Sequence, residues 1–291
     1  MATKKVSTFL VLCFSLAVSI ALNSPKLHAQ TFTTIDVPGA TETDANDINT
    51  KGTIVGFYTD SAGIMHGWAQ VNGSIKKLNY PKAADTLAYG INDSNEIVGW
   101  YIDTAGIYHG FTFSKGKYAS IDPPGSEYTN AWGVNNSGEV VGTYIGSDGI
   151  YHGFTLTGST YTSYDAPNGA TLTEFTGINT AAQMTGIYID SAGVQHGFTL
   201  SAGKFSSVNY PGQGIVVTAA DRVNDSLEIV GLYGTSTSGP FSGYSRTGKT
   251  YTTITYPGST ETRCRGLNNA GTIVGRYTDT GGVIHGMMYV P

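Results

Sequence analysis

Ala131 to Phe154 reads AWGVNNSGEVVGTYIGSDGIYHGF, and this stretch recurs with substitutions five more times along the chain. Its recurring elements are an apolar residue followed by Asn, an apolar-Gly pair, a Tyr, an acidic-Gly turn, and His-Gly followed by an aromatic residue. Self-similarity at a fixed period indicates a repeat architecture before any single residue is interpreted. The copies therefore have to be compared with one another.

The apolar-Asn pair gives the period of the repeat. Aligned on its apolar residue, the copies are centred on residues 48, 91, 134, 178, 223 and 267, with spacings of 43, 43, 44, 45 and 44 residues. Each period contains four short strand-like runs separated by turn sequences; in the third copy the predicted strands are 131–135, 139–145, 150–156 and 161–165. Four strands in a period of this length is the size of one β-propeller blade.

We predict an all-β protein, a six-bladed β-propeller of four-stranded repeats that forms a single domain over residues 30–291. The alternative repeat architecture is an open β-solenoid. The order of the strands favours the propeller, because residues 32–38 match the fourth strand of the other copies, whereas the chain stops at Pro291 after the third strand of the last copy. We expect the N-terminal strand to complete the last blade and close the ring.

The repeated motifs resemble those of a known family. Gly-Ile-Asn-Asp at 90–93, Ile-Val-Gly at 97–99 and His-Gly-Phe at 109–111, 152–154 and 196–198 resemble the HAF-type extracellular repeat family of bacterial exported proteins, with His-Gly-Phe in place of the His-Ala-Phe that names the family. The resemblance covers residues 32–291. It implies an exported, β-propeller-like fold and supplies no established activity and no catalytic residues.

The first 29 residues have the features of a signal peptide. Lys4 and Lys5 precede a 14-residue apolar run from Phe9 to Leu22, and Leu27-His28-Ala29 offers a cleavage site. The apolar run is short for a membrane span, so we expect no stable membrane insertion and a secreted or periplasmic protein. Residues 1–29 carry three lysines and no acid, so their removal changes the net charge from −5 to −8.

Composition excludes several function classes. An acidic chain in which only 13% of residues are charged is unsuited to nucleic acid, which requires clustered Lys and Arg. The predicted mature chain keeps one cysteine, Cys264, which rules out an internal disulfide and a Cys/His zinc site. Cys264 occupies a column of mostly small residues, so we expect a buried space-filling residue. We predict no cofactor and a monomer.

Residues repeated in every copy indicate structure. A histidine recurs in five copies at one position, where the fifth copy has Ser242, and we predict that each is hydrogen-bonded within the fold and binds no metal. The Asp-x-x-Gly turns, such as Asp60 to Gly63, lack the dense oxygen ligands of a calcium loop and are explained as hairpin turns. The repeated histidines are His66, His109, His152, His196 and His285.

Function is sought where the copies differ. Two residues before each apolar-Asn pair starts, one column has a different residue in every copy, whereas its neighbouring columns are nearly uniform. In a propeller this column faces one mouth of the central channel, where aromatic faces beside polar groups suit a sugar. The column comprises Asn46, Tyr89, Trp132, Thr176, Asp221 and Arg265. We take as the candidate ligand site the five that supply aromatic and charged or amide groups, which are Asn46, Tyr89, Trp132, Asp221 and Arg265.

Three functions remain open at this point. The favoured one is an exported, non-enzymatic binding module for a carbohydrate or another extracellular ligand, with no catalytic residues. The first alternative is a glycan-acting hydrolase or lyase that uses loop carboxylates, such as Asp44 with Glu261. The second is a purely structural extracellular repeat protein, in which Tyr89 and Trp132 only fill space and Asp221 pairs with Arg265. The fifth copy, which diverges at 213–218 and 235–240, carries a distinct site or has drifted.

Overall fold

The computed structural model describes residues 30–167 and 169–291, and all regular secondary structure in these residues is β. The signal peptide predicted for residues 1–29 lies outside the described residues. In the part of the chain that is described, no helix is long and apolar enough to cross a membrane.

The described residues form 24 strands in six antiparallel four-stranded units, one for each repeat. The first three units are β2 (Glu42–Ile48), β3 (Ile54–Thr59), β4 (Met65–Val71) and β5 (Ser74–Leu78); β6 (Asp85–Ile91), β7 (Ile97–Ile102), β8 (Tyr108–Ser114) and β9 (Lys117–Ile121); and β10 (Tyr128–Val134), β11 (Val140–Ile145), β12 (Tyr151–Thr157) and β13 (Thr160–Tyr164). The strands of the third unit lie within three residues of their predicted bounds.

The remaining units follow the same order, with one exception at the end. They are β14 (Leu172–Ile178), β15 (Met184–Ile189), β16 (Gln195–Ser201) and β17 (Lys204–Val208); β18 (Val217–Val223), β19 (Ile229–Gly234), β20 (Ser242–Thr247) and β21 (Thr250–Ile254); and β22 (Glu261–Leu267), β23 (Ile273–Thr278), β24 (Ile284–Val290) and β1 (Thr31–Ile35). The fourth strand of the last unit is therefore the N-terminal strand.

The pairing of β1 with β24 joins the two ends of the chain. The strands are antiparallel, from Thr31 opposite Val290 to Ile35 opposite Gly286. The first strand of each unit also contacts the first strand of the next, and β22 of the last unit contacts β2 of the first. The predicted role of the N-terminal strand as the fourth strand of the last unit agrees with this pairing.

A buried asparagine follows each first strand, and in five of the six described units it links its unit to the next. The Asn49 side-chain oxygen accepts hydrogen bonds from the amides of Lys51 and Thr53, both at 3.0 Å, which shapes the turn. Its side-chain nitrogen donates to the Asn92 carbonyl of the next unit at 3.1 Å. Equivalent bonds join Asn92 to Asn135, Asn179 to Asn224, Asn224 to Asn268, and Asn268 back to Asn49.

The core of each unit forms around a glycine in its second strand. A Cβ atom on Gly142 would overlap the Asn130 carbonyl oxygen and lie 2.6 Å from the Phe154 ring, so only glycine fits there. The carbonyl belongs to the first strand and the ring to the third strand of the same unit. Cys264 is buried in such a core, as predicted, and burial raises the pKa of its thiol.

The repeated histidines are bound within their own units. The His66 Nε2 atom lies 2.9 Å from Asp60, whose other carboxylate oxygen accepts hydrogen bonds from the Ala62 and Ile64 amides of the turn. His152 lies between two acids, Asp148 at 3.1 Å and Asp165 at 2.6 Å. These contacts give the histidines and the turn aspartates a structural role. Among the described residues, no group of three His, Cys, Asp or Glu is placed to hold a metal ion.

Deletion of residues 31–38 tests the importance of the β1–β24 pairing. We expect a lower melting temperature and concentration-dependent association, because β24 then presents an unpaired edge to other molecules. Thermal melts followed by circular dichroism and sedimentation velocity measure the two effects, with a chain that begins at Gln30 as the control. A deleted chain that stays monomeric with an unchanged melt contradicts the structural role given to β1.

Candidate functional site

The column of unlike residues coincides with a β-bulge in every first strand. In the third unit Ala131 lies opposite Gly142 and Gly133 lies opposite Val141, so Trp132 is the extra residue of the pair of strands. The same shift occurs in the other five units. A bulge locally re-aims a side chain, which frees this position from the packing that keeps its neighbours uniform.

The structure brings the five predicted site residues together. Asn46, Tyr89, Trp132, Asp221 and Arg265 all line one cavity of about 190 Å³ beside the first strands. Seven of its sixteen lining residues come from the fifth unit, so the cavity is displaced toward that unit. Sequence comparison identified the column but did not predict this displacement.

Two aromatic side chains form one wall of the cavity. The Tyr89 and Trp132 rings meet edge to face, with centroids 4.3 Å apart and an interplanar angle of 78°. Both side chains are half-buried, and the Trp132 indole N–H has no hydrogen-bond partner within the described residues. The rings therefore pack against each other, as the space-filling alternative expected, and also present surface to the cavity.

Polar groups on the other side of the cavity have unused hydrogen-bonding capacity. The Asp221 side chain is only 8% exposed, and its nearest cation, the Arg265 Nη1 atom, is 4.0 Å from Oδ1. The Asn46 side chain donates to the Ala88 carbonyl at 2.9 Å. Asp221 Oδ2 and Asn46 Oδ1 are buried and accept no hydrogen bond from the described residues, which is costly unless a ligand or water supplies one.

Glu174 is a second acid in the cavity that the predicted site column did not include. Burial, together with the charge of Asp221, raises the pKa of Glu174 to about 7. Burial also raises the pKa of Asp221, an effect that Arg265 opposes. Arg265 thus lies near two carboxyl groups whose pKa values are both raised by burial, and Glu174, with a pKa of about 7, carries a proton in part of the molecules near neutral pH.

The divergent part of the fifth unit contributes to the cavity wall. Thr237, from the segment 235–240, and Phe241, which follows it, both line the cavity. The Arg263 guanidinium lies 4.7 Å from the centre of the Phe241 ring. The segment therefore contributes to the cavity wall, and its divergence in the fifth copy was the sequence signal for it.

Arg222 closes the inner end of the cavity. Four units have glycine at this position, where Arg222 and Asp47 stand in the other two. Arg222 donates to the carbonyls of Tyr89 at 2.6 Å, Trp132 at 2.9 Å and Thr176, and its Nε atom lies 3.2 Å from Asp47. Arg222 and Asp47 also line a second, smaller cavity of about 70 Å³, so Arg222 lies between the two cavities.

The two acids that suggested a hydrolase were predicted to lie in loops, but both lie in first strands and are already bound to arginines. Asp44 lies 3.3 Å from Arg276, which also contacts Glu42. Glu261 is paired with Arg263 and accepts a hydrogen bond from the Phe241 amide at 3.1 Å. Asp44 and Glu261 do not line the axial cavity, so they are not a matched catalytic pair within it.

Comparison with solved structures shows the fold. The β-propeller domain of the Trilobed protease from Pyrococcus furiosus, described as having an open velcro topology, matches with a TM-score of 0.53 at 7% identity, over 85% of this chain and 95% of that one. The chain therefore has a β-propeller fold. No protein-family model and no curated protein matches the sequence.

Two further solved structures match at a similar level. The Aleuria aurantia lectin in complex with Fucα1-6GlcNAc has a TM-score of 0.54 and 9% identity, over 86% of this chain and 92% of that one. AofleA from Arthrobotrys oligospora has a TM-score of 0.56 and 11% identity, over 90% of this chain and 86% of that one. At these identities the likeness extends to the fold alone.

A double-mutant cycle tests the Asp47–Arg222 pair. We expect Arg222→Gly to destabilise the protein by about 3–5 kcal/mol, because it leaves Asp47 buried without its cation. Asp47→Gly combined with Arg222→Gly gives both positions the glycine of the other units and should cost less than the sum of the single changes. Urea unfolding measures each value. Additive effects would show that the two side chains are not coupled.

The pKa of Glu174 predicts a pH dependence of stability. Because the folded-state pKa of about 7 exceeds the unfolded value, the folded chain keeps a proton that the unfolded chain has lost, so stability falls as the pH rises from about 4.5 to 7. We expect Glu174→Gln to remove part of this slope and to stabilise the protein above pH 7 by on the order of 1–2 kcal/mol.

Urea unfolding between pH 4.5 and 8 measures this slope. Part of it should remain in Glu174→Gln, since burial and Asp44 raise the pKa of Glu42 to about 7 as well. Glu127→Gln, at an exposed position, is the control. A Glu174→Gln slope equal to that of the wild type would contradict the raised pKa.

Proposed function

We propose that this protein is an exported, six-bladed, closed β-propeller of the HAF-type extracellular repeat family, and that its axial cavity binds a carbohydrate or a similar small polar ligand. Residues 1–29 direct it to the periplasm or the extracellular space, where it acts as a monomeric binding module without catalysis. The single observation that carries the binding proposal is the convergence of the bulged column on one cavity with buried, unused polar groups.

Six blades and closure are supported by one pairing that completes the last unit and by two contacts between the last unit and the first. They are the β1–β24 pairing, the contact of β22 with β2, and the hydrogen bond from Asn268 to the Asn49 carbonyl at 3.2 Å. The asparagine bond repeats one found between successive units elsewhere, so this junction uses the same geometry as the others. In a closed ring the bulged residues surround one mouth of the channel.

The chemistry of the cavity suits a sugar. The C–H face of a pyranose can lie on Trp132 and Tyr89, while its hydroxyls donate to Asp221 and Asn46 and accept from Glu174 or Arg265. The volume of about 190 Å³ is below the 300 Å³ or more typical of pockets for drug-sized ligands, so it fits one small unit. The lectin among the similar structures is consistent with this proposal.

A second function is favoured by one observation, the presence of two buried carboxyl groups in the same cavity. Glu174, whose pKa is raised to about 7, is protonated in part of the molecules at neutral pH, as a general acid requires, and Asp221 is the second carboxyl group that a base or nucleophile would need. A glycan-acting hydrolase would use this pair in place of Asp44 and Glu261. Release of new reducing ends from a glycan that binds would favour it, and Glu174→Gln should then abolish the release.

A glycan array of the wild type and Trp132→Ala tests the binding proposal. The array includes fucosides, since the lectin similar in fold was solved with one. We expect a hit whose affinity falls at least tenfold in Trp132→Ala, because a stacked ring is lost. The free energy of unfolding of Trp132→Ala should fall by less than the roughly 3–5 kcal/mol that truncation of a fully buried tryptophan costs.

Trp68→Phe is the matched control. Trp68 is fully buried away from the cavity and has Phe at the equivalent position in three other units, so this variant should bind normally. A sharply lowered melt of Trp132→Ala together with an array that shows no hit would show that Trp132 is only a packing residue.

A further inference from the structure

A tyrosine in the second strand of each unit lies at the junction with the preceding unit. At three junctions it stacks on a tyrosine that precedes a proline: Tyr101 on Tyr80, Tyr233 on Tyr210, and Tyr277 on Tyr256, with centroids 3.5–3.7 Å apart and planes within 5°. The equivalent residues before proline at the other three junctions are smaller: Val37, Pro123 and Ala166.

The hydroxyl of this tyrosine has a repeated partner as well. In five units it lies within hydrogen-bond distance of a serine or threonine in the fourth strand of its own unit, as in Tyr144 to Ser163 at 2.9 Å and Tyr188 to Ser207 at 3.2 Å. The other three pairs are Tyr101 with Ser120, Tyr233 with Thr253, and Tyr277 with Thr34.

Tyr58 departs from both patterns. Val37 replaces its stacking tyrosine, and Lys77 stands at the position of the serine or threonine, with Nζ 6.0 Å from the centre of the Tyr58 ring. Tyr144 and Tyr188 lack a stacking tyrosine but keep the hydroxyl partner. Two departures at one residue distinguish the junction between the last unit and the first.

An open groove of about 680 Å³ lies at this junction. Tyr58, Val37, Lys77 and Gln70 line it, and none of its lining residues comes from the first strands, so it is separate from the axial cavity. Asp36 also lines the groove, but its carboxylate is bound to His285 at 3.0 Å. Lys77 forms no ion pair within the described residues, which makes it the free charge of the groove.

We propose that this groove is a second binding site, which takes an acidic sugar ring of the uronic acid type. The C–H face of the ring occupies the place of the missing tyrosine and stacks on Tyr58. Its carboxylate meets the Lys77 ammonium, and its hydroxyls reach the Gln70 amide. The site does not depend on the axial cavity, because the two sets of lining residues have no member in common.

The role of the Lys77 charge is tested by titrating the purified chain with galacturonate and with galactose, its neutral counterpart. We expect galacturonate to bind at least about tenfold more tightly than galactose, because its carboxylate accepts a charge-assisted hydrogen bond from Lys77. Lys77→Gln should remove this preference, whereas Lys76→Gln, on the adjacent exposed lysine, should keep it. Equal binding of the two sugars, no binding of galacturonate, or an unchanged preference in Lys77→Gln would overturn the proposal.

Val37→Tyr tests the stacking position. It restores the tyrosine found at three other junctions, so we expect a higher melting temperature and an at least tenfold loss of galacturonate affinity. Ala166→Tyr makes the equivalent change between the third and fourth units and should leave the affinity unchanged. If Val37→Tyr does not fold, Tyr58→Leu replaces it and should weaken binding similarly. Retained affinity in a folded Val37→Tyr chain would overturn the proposal.

Trp132→Ala separates the two sites. We expect this variant to bind galacturonate as the wild type does, whatever it loses at the axial cavity. If galacturonate binding falls with the Trp132 substitution and not with those at Tyr58 or Lys77, the acidic sugar occupies the axial cavity and the groove proposal is wrong. An empty glycan array with intact galacturonate binding would contradict only the axial proposal.

Discussion

The asparagine that follows each first strand is the contact on which the arrangement of the units depends. Its side-chain oxygen completes the turn of its own unit, and in most units its nitrogen donates to the backbone of the next. Both groups are buried, so either one left unpaired would cost free energy. The same amide therefore fixes a local turn and the spacing between units, which explains why this residue recurs in all six repeats.

The bulge in the first strand of each unit affects which residues are found at two positions beside it. It brings a carbonyl of the first strand against the second strand, where only glycine fits, as at Gly142. It also releases one side chain per unit from the packing of the core. At the bulge, the second strand is therefore restricted to glycine, while the extra residue of the first strand is free to differ from unit to unit.

The sequence predicted the strands, the position of the N-terminal strand and the column of site residues, because each depends on spacing that the repeat makes visible. It did not predict that Glu174 and Phe241 join the site, or that Arg222 closes the cavity. Those contacts run between units that are distant in the sequence and depend on side-chain lengths and directions. The period and pattern of a repeat predict its strands, whereas the candidate site is formed by residues that depart from the pattern and meet only in the folded chain.

The Asp47–Arg222 pair also affects how the repeats can be exchanged. Repeats with interchangeable interfaces can be duplicated, lost or permuted with little penalty, and during folding they can dock in the wrong order. Asp47 in the first unit and Arg222 in the fifth are held together across the intervening units, whose Tyr89, Trp132 and Thr176 carbonyls also bind Arg222. Exchange of these units would disturb the arrangement, and either charge left without its partner would be costly to bury, so the ion pair makes the repeats less interchangeable.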